Sequence, residues 1–454
     1  MSTWEYDPIG RRSRIITSGH VLDFIRDAAG QQTLRNYVEK VEIGQEFDVL
    51  GRVVGQHVAT PVKSLRSRSY SYRADGNLIM IRDDAQGERN FELDTNGRVT
   101  EAGEGIWTES YAYDEAGNQT RASWPRNHPG HEATGPRNYR GTRVEKAGRV
   151  RYEYDAQNRM TLRQKSRLSR PPETWRYTWD AEDRLTAVAT PDGTCWRYLY
   201  DPVGRRIAKQ RLPTDGEAVA ESVSFTWDGS NLCEQVTHAE TLPNPVSVTW
   251  DHEGFRPLTQ VERVLSADDP KEIIDERFFA IVTDLVGAPT EAIDEAGELA
   301  WHTRRTVWGS TAWAADSTTY VPFRFPGQYF DPETALHYNY FRYYDPETAH
   351  YLTSDPLGLE PSPNPSSYVS NPHTWMDPLG LSACPPKGEG TNPFKTRVSR
   401  GSRACCRSGR PSFHAGKPKI DDSRSLVNFG WDNARVQRGD GSFGYPEHME
   451  RYGK

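Results

Sequence analysis

The sequence predicts an all-β chain assembled from repeated hairpins, and three observations carry that expectation. Aromatic residues are plentiful, with 22 Tyr, 13 Trp and 15 Phe, although only 35% of the 454 residues are hydrophobic. Turn-forming residues are frequent, with 37 Gly and 31 Pro. A short motif also returns along the chain: aromatic, any residue, aromatic or apolar, Asp, two residues, Gly or Asn, and often Arg. This excludes a helical bundle, which needs Leu- and Ala-rich stripes free of breakers. It is also too aromatic for a disordered chain. No run approaches the roughly 18 apolar residues of a membrane-spanning helix. The opening MSTWEYDPIG has neither the basic nor the apolar stretch of a secretory signal peptide.

The first repeat is Trp4-Glu5-Tyr6-Asp7-Pro8-Ile9-Gly10-Arg11. Weaker copies follow at Asp27-Ala28-Ala29-Gly30 and Phe47-Asp48-Val49-Leu50-Gly51-Arg52. Further copies surround Asp75, Asp94, Asp114 and Asp155, and the clearest are Trp175-Arg176-Tyr177-Thr178-Trp179-Asp180 and Trp196-Arg197-Tyr198-Leu199-Tyr200-Asp201. Looser ones end at Trp227-Asp228 and Trp250-Asp251. Anchors lie about 20 to 27 residues apart except for one gap of 41, which has the length of a missed copy and where residues 125–141 read as a Pro/Gly-rich loop. Aromatics at i and i+2 share one strand face. The Asp opens a turn by bonding nearby N–H groups, and Gly or Asn supplies the positive φ. The return strand alternates in polarity, as in Arg205-Arg206-Ile207-Ala208-Lys209. A single hairpin is marginal in water, so neighbours must stack into a continuous curved sheet. The Tyr-Asp pairs are therefore read as turn chemistry rather than catalysis.

In this series the units resemble the YD repeats of the Rhs family, which includes the C subunits of insecticidal Tc toxin complexes. The resemblance covers residues 1–381 and implies a curved or spiral β-shell, a hollow cocoon. About a dozen repeats make only part of such a wall, and the opening residues already lie in a repeat, so an upstream stretch of shell is expected. The more specific match begins with Thr283-Asp284-Leu285-Val286-Gly287-Ala288-Pro289 and Trp308-Gly309. It culminates in PFRFPGQYFDPETALHYNYFRYYDPETAHYLTSDPLGL at 322–359, which resembles the Rhs-associated core. Ala335 and Ala349 stand where the family usually has Gly. If those positions hold positive φ, each Ala costs about 1 kcal/mol.

Asp-Pro-Leu-Gly-Leu occurs twice, at 355–359 and 377–381. Either copy alone is an ordinary turn sequence. Behind this core, the resemblance implies that Asp355 and Asp377 act as an aspartyl-protease-like pair cutting between Leu381 and Ser382. It also implies that Arg342, 13 residues before Asp355, positions or polarises the site. The chemistry is coherent: hydrolysis by carboxylates needs one ionised and one protonated, and two held close have their pKa values driven apart. The stretch Glu360-Pro361-Ser362-Pro363-Asn364-Pro365 departs from the family by carrying prolines in place of glycines.

Charge follows the same boundary. Residues 382–454 hold 14 basic and 7 acidic residues (+7), and the rest hold 42 basic and 56 acidic (−14). The expected division is a shell segment at 1–282, the core with its self-cleaving plug at 283–381, and a small α+β or partly disordered domain at 382–454. In the family that last place holds a polymorphic toxin. A basic domain with Phe413, Phe429, Trp431, Phe443 and Tyr445 suits nucleic acid, so a nuclease is favoured. His414, Asp421, Glu447 and His448 are its candidate acid–base residues. The rivals are another toxin class such as an ADP-ribosyltransferase, or a structural or carbohydrate-contacting surface protein with an inert tail. Cys384, Cys405 and Cys406 with His414 could be considered for zinc, but adjacent cysteines and irregular spacing favour free thiols, so no metal or cofactor is expected. The resemblance further implies a cut fragment retained by its shell and a cognate immunity protein. It implies delivery machinery such as type VI secretion, synthesis in a bacterial cytoplasm, export without a classical signal peptide, and action in the cytoplasm of a target cell.

Overall fold

The structure, a computed structural model, describes residues 2–37, 40–167, 169–213 and 218–385. Twenty-eight strands, from Thr3–Tyr6 to Thr311–Trp313, form one antiparallel sheet in which each strand pairs with its neighbour in sequence. This sheet runs unbroken through Ile273–Thr283.

In the motif repeats the turn is built by its Asp. At Asp155 one carboxylate oxygen accepts the N–H groups of Gln157 (2.9 Å) and Arg159 (3.0 Å), and the other accepts Arg159 Nε at 2.7 Å. The bonds to Arg recur at Asp7, Asp48, Asp94, Asp180 and Asp201. Asn158 (φ 69°) and Asp183 (φ 59°) take the left-handed position that glycine fills elsewhere, as at Gly97 (φ 77°).

The aromatics lie on the inner face: Tyr111, Tyr152, Tyr177, Trp196 and Tyr198 are buried in one core cluster. In several repeats the aromatic that ends the outgoing strand has a further partner. Tyr72 Oη donates to the Val53 carbonyl (2.6 Å), Tyr113 to Val99 (2.8 Å), Trp179 Nε1 to Met160 (2.7 Å) and Tyr200 to Leu185 (2.8 Å). The preceding repeat's Arg covers the same ring, as Arg52 does over Tyr72 (4.8 Å) and Arg98 over Tyr113 (4.6 Å). One Arg thus closes its own turn and caps the next repeat.

Three expectations are corrected. Residues 125–141 are not all loop: a short 3-10 helix, His131–Ala133, is followed by strand Gly135–Arg140, which pairs with Arg143–Ala147. The gap holds a hairpin whose Tyr139 bonds the Gln119 carbonyl (3.0 Å), but its turn has no Asp to announce it. Asp251 opens no turn, since it lies within Val246–Glu253 and accepts Thr259 Oγ1 at 2.9 Å. Finally, the strand Arg206–Leu212 faces the opposite way from its polarity: Ile207 is 40% exposed, while Arg206 and Lys209 are buried.

The inward charges meet a plug. A four-stranded sheet, Tyr329–Asp331, Leu336–Asn339, Arg342–Asp345 and His350–Tyr351, sits against the inner wall. Its Leu336, Tyr338, Tyr344 and Tyr351 belong to one core cluster with wall residues Tyr111, Trp175 and Trp196. Arg206 binds both carboxylate oxygens of Asp331 (2.6 and 2.9 Å), Lys209 binds Glu333 (2.9 Å) and Lys165 binds Glu347 (2.6 Å). Early and late strands of the wall also meet, with Ile15, Leu22 and Ile43 packed against Leu258, Val261 and Ile293. Arg68 bridges Asp83 (2.7 Å) and Glu291 across that join. Ala335 (φ 56°) and Ala349 (φ 60°) do hold positive φ, each closing a turn onto the carbonyl of Asp331 or Asp345.

Candidate active site

The two Asp-Pro-Leu-Gly-Leu copies share a glycine in the left-handed region. Gly358 and Gly380 take positive φ (66° and 70°), and a Cβ on Gly380 would lie 2.8 Å from the Asn339 carbonyl oxygen. At Asp355 one oxygen accepts the Leu357 N–H at 2.8 Å. At Asp377 the corresponding oxygen, Oδ1, accepts two N–H groups, from Leu381 (2.8 Å) and Ser382 (3.1 Å).

Between them stands Arg342, only 2% exposed. Its Nη2 donates to Asp355 Oδ2 (2.7 Å) and approaches Asp377 Oδ2 (3.4 Å). Its Nε donates to the Gly380 carbonyl and its Nη1 to that of Pro365 (2.9 Å). The guanidinium lies 3.7 Å from the Tyr351 ring centre, and Tyr351 Oη donates to Asp377 Oδ2 at 2.9 Å. Asn339 Nδ2 donates to Tyr351 Oη and to the Asp377 carbonyl, both at 2.8 Å. The Asp377 carboxylate is thus filled with donors on both oxygens. Asp355 differs: burial pushes its carboxyl up to about 6, against the pull of Arg342 and the Leu357 N–H, and the Asp377 charge adds to the rise.

The structure brings Arg342, Asp355, Asp377, Leu381 and Ser382 together. Ser382 is buried, and two residues on the chain forms a bridge in which Met376 and Cys384 exchange N–H···O bonds of 2.9 and 2.8 Å. Sequence reasoning missed Asn339 and Tyr351. The pairing of Asn339 with Arg342 across a tight hairpin was the available signal for the former. His414, Asp421, Glu447 and His448, with Cys405 and Cys406, lie outside the described residues.

The Teneurin YD-shell family matches residues 18–171 and 271–367, more than half of the chain, and the RHS Repeat family matches 179–218. The chain belongs to the Teneurin YD-shell and RHS-repeat family. Among relatives of this YD-shell chain, Double-stranded DNA deaminase toxin A of Burkholderia cenocepacia (strain H111) is 32% identical over 80% of the chain and 26% of the relative. Probable deoxyribonuclease RhsA of Dickeya dadantii (strain 3937) is 28% identical over 94% and 29%. Toxin protein Tse5 of Pseudomonas aeruginosa is 31% identical over 69% and 27%. The chain therefore spans about a quarter of the length of these relatives. The YD-shell fold is shared with the Photorhabdus luminescens Tc holotoxin pore, at TM-score 0.65 and 20% identity over 84% of this chain and 20% of that one. Among the described residues, no helix is long and apolar enough to cross a membrane.

Proposed function

We propose that residues 1–381 are part of the shell of an Rhs-type toxin that cuts itself between Leu381 and Ser382, and that residues 382–454 are its basic toxin domain. The observation that carries the reading is the hydrogen bond from the Ser382 N–H to Asp377 Oδ1 (3.1 Å), because that nitrogen is the leaving group of the proposed cut.

Water adds to the Leu381 carbonyl carbon and gives its proton to Asp377. Protonated Asp355 donates a hydrogen bond to the carbonyl oxygen, where charge develops. The carbon–nitrogen bond then breaks, and Asp377 passes its proton to the Ser382 nitrogen, leaving a carboxylic acid on Leu381, which ionises to solvent, and an amine on Ser382. Arg342 holds the two carboxylates together, and Asn339 and Tyr351 orient Asp377. In wild type, 73 residues leave as a fragment of about 8 kDa by their share of the 51.5 kDa chain. Asp377→Asn leaves one uncut chain on a denaturing gel, and efficient cutting in that variant sinks the reading.

For the toxin, a nucleic-acid enzyme is favoured, most simply a nuclease. The names of relatives support this: a double-stranded DNA deaminase toxin, probable deoxyribonucleases and a tRNA3(Ser)-specific nuclease of Bacillus spizizenii. The +7 charge of residues 382–454 is the physical counterpart. Cells producing the toxin domain lose DNA or RNA integrity, and poisoned cells whose nucleic acids stay intact contradict it. The cut domain stays with its shell until delivery machinery carries it into a target cell, and an immunity protein guards the producer.

A further inference from the structure

In six repeats the residue after the turn glycine, or the residue standing for it, is Arg: Arg11, Arg52, Arg98, Arg159, Arg184 and Arg205. At two turns it is Asn, at Asn77 and Asn118, and both of these touch the segment joining the two aspartates. Asn118 preserves its own turn as Arg does, with its N–H on Asp114 Oδ1 (2.8 Å) and its Nδ2 on Asp114 Oδ2 (2.9 Å). Its Oδ1 is then left for the plug, and it accepts Nδ2 of Asn364 at 2.9 Å. Both residues are buried, 1% and 2% exposed. A guanidinium has donors only and offers the Asn364 Nδ2 no acceptor.

Asn364 is well placed to transmit this contact. Its Oδ1 accepts the Ser366 N–H (3.0 Å) and its Nδ2 also reaches the Ala116 carbonyl (3.3 Å), so the amide is fixed at both ends. The next residue, Pro365, offers one carbonyl that accepts both the Asp355 N–H (2.9 Å) and Arg342 Nη1 (2.9 Å). Farther along, Asn371 Nδ2 donates to the Gly97 carbonyl (3.0 Å) and reaches Asn77 Oδ1 (3.4 Å). The Asn371 carbonyl accepts the Trp375 N–H (2.9 Å), two residues before Asp377.

We infer that Asn118, supported by Asn77, is a positioning residue for self-cleavage, through which the wall holds the inter-aspartate segment so that the pair is complete only once these repeats have closed round the plug. The inference rests on the self-cleavage reading of the site and adds a folding gate to it. No acid–base role belongs to Asn118, which acts through Asn364 and Pro365 on Arg342 and Asp355.

The test is a pulse-chase of the whole chain in cell-free translation, following fragment release alongside protease resistance of the wall. Asn118→Arg slows release about tenfold or more while the wall becomes protease-resistant as in wild type. Adding Asn364→Asp, whose carboxylate accepts from a guanidinium, restores release. A residue of purely structural importance gives no such rescue. Arg52→Asn, at a turn without a hydrogen bond to the plug segment, leaves release unchanged. Release at the wild-type rate in Asn118→Arg, or its failure to recover with Asn364→Asp in a folded wall, overturns the inference. If Asp377→Asn is itself cut, or wild type never is, the fault lies with the reading of the site and the gate falls with it. If Asp377→Asn stays whole while Asn118→Arg cuts normally, only the gate is wrong.

Discussion

Asp355 and Asp377 carry the same five-residue sequence in different surroundings. Asp377 receives Leu381 and Ser382 N–H groups, Tyr351 Oη and Arg342, whereas Asp355 receives only the Leu357 N–H and Arg342 among the side-chain contacts described. Burial dominates at Asp355 and lifts its carboxyl to about 6, so below that pH it holds a proton. In the proposed mechanism that proton is required. The cleavage rate therefore falls as pH rises through about 6, by about tenfold per unit beyond it, in a pulse-chase across buffers. A rate that climbs over the same range reverses the roles of the two aspartates. At this scale the sequence was informative where resemblance named a residue, as with Arg342. It was silent on Tyr351, because a tyrosine among so many core tyrosines has no distinguishing pattern until the fold aims its hydroxyl at Asp377.

The repeat is the natural element, and its legibility was uneven for a physical reason. Aromatics at alternate positions, the turn Asp and the positive-φ residue act within a few residues and so are written locally. The contact between repeats is not, since its acceptor is a backbone carbonyl a full repeat away, where any residue serves. The hairpin of Gly135–Arg140 and Arg143–Ala147 escaped for the complementary reason: it keeps the inter-repeat bond of Tyr139 but lacks the Asp. The inter-repeat bond carries measurable stability. Tyr113→Phe keeps the ring under Arg98 and loses the bond to the Val99 carbonyl (2.8 Å), which costs about 1 kcal/mol in denaturant unfolding of the uncut Asp377→Asn chain. No change in midpoint would remove this bond from the account of how repeats adhere.

Across the whole molecule, the wall is curved round a plug and fastened to it by buried charges as well as by apolar packing. Alternating polarity in Arg206–Leu212 read as an ordinary strand, yet Arg206 and Lys209 face inward because the plug supplies Asp331 and Glu333. That inversion could not be read locally, since the partners lie more than a hundred residues on. Asp331→Ala strands Arg206 in the interior and costs about 3–5 kcal/mol in the same unfolding experiment, and a loss below 1 kcal/mol contradicts the fastening role. The wall, the plug and the loop slung between the two aspartates converge on one peptide bond, and the central claim is that this bond is cut by the chain itself. The most direct measurement is intact mass spectrometry of the purified wild-type protein, made with Asp377→Asn in parallel. The account predicts two wild-type species divided between Leu381 and Ser382, their masses summing to the full chain plus one water, and a single full-length mass for the variant. A wild-type chain that stays whole, or one divided at another bond, contradicts it.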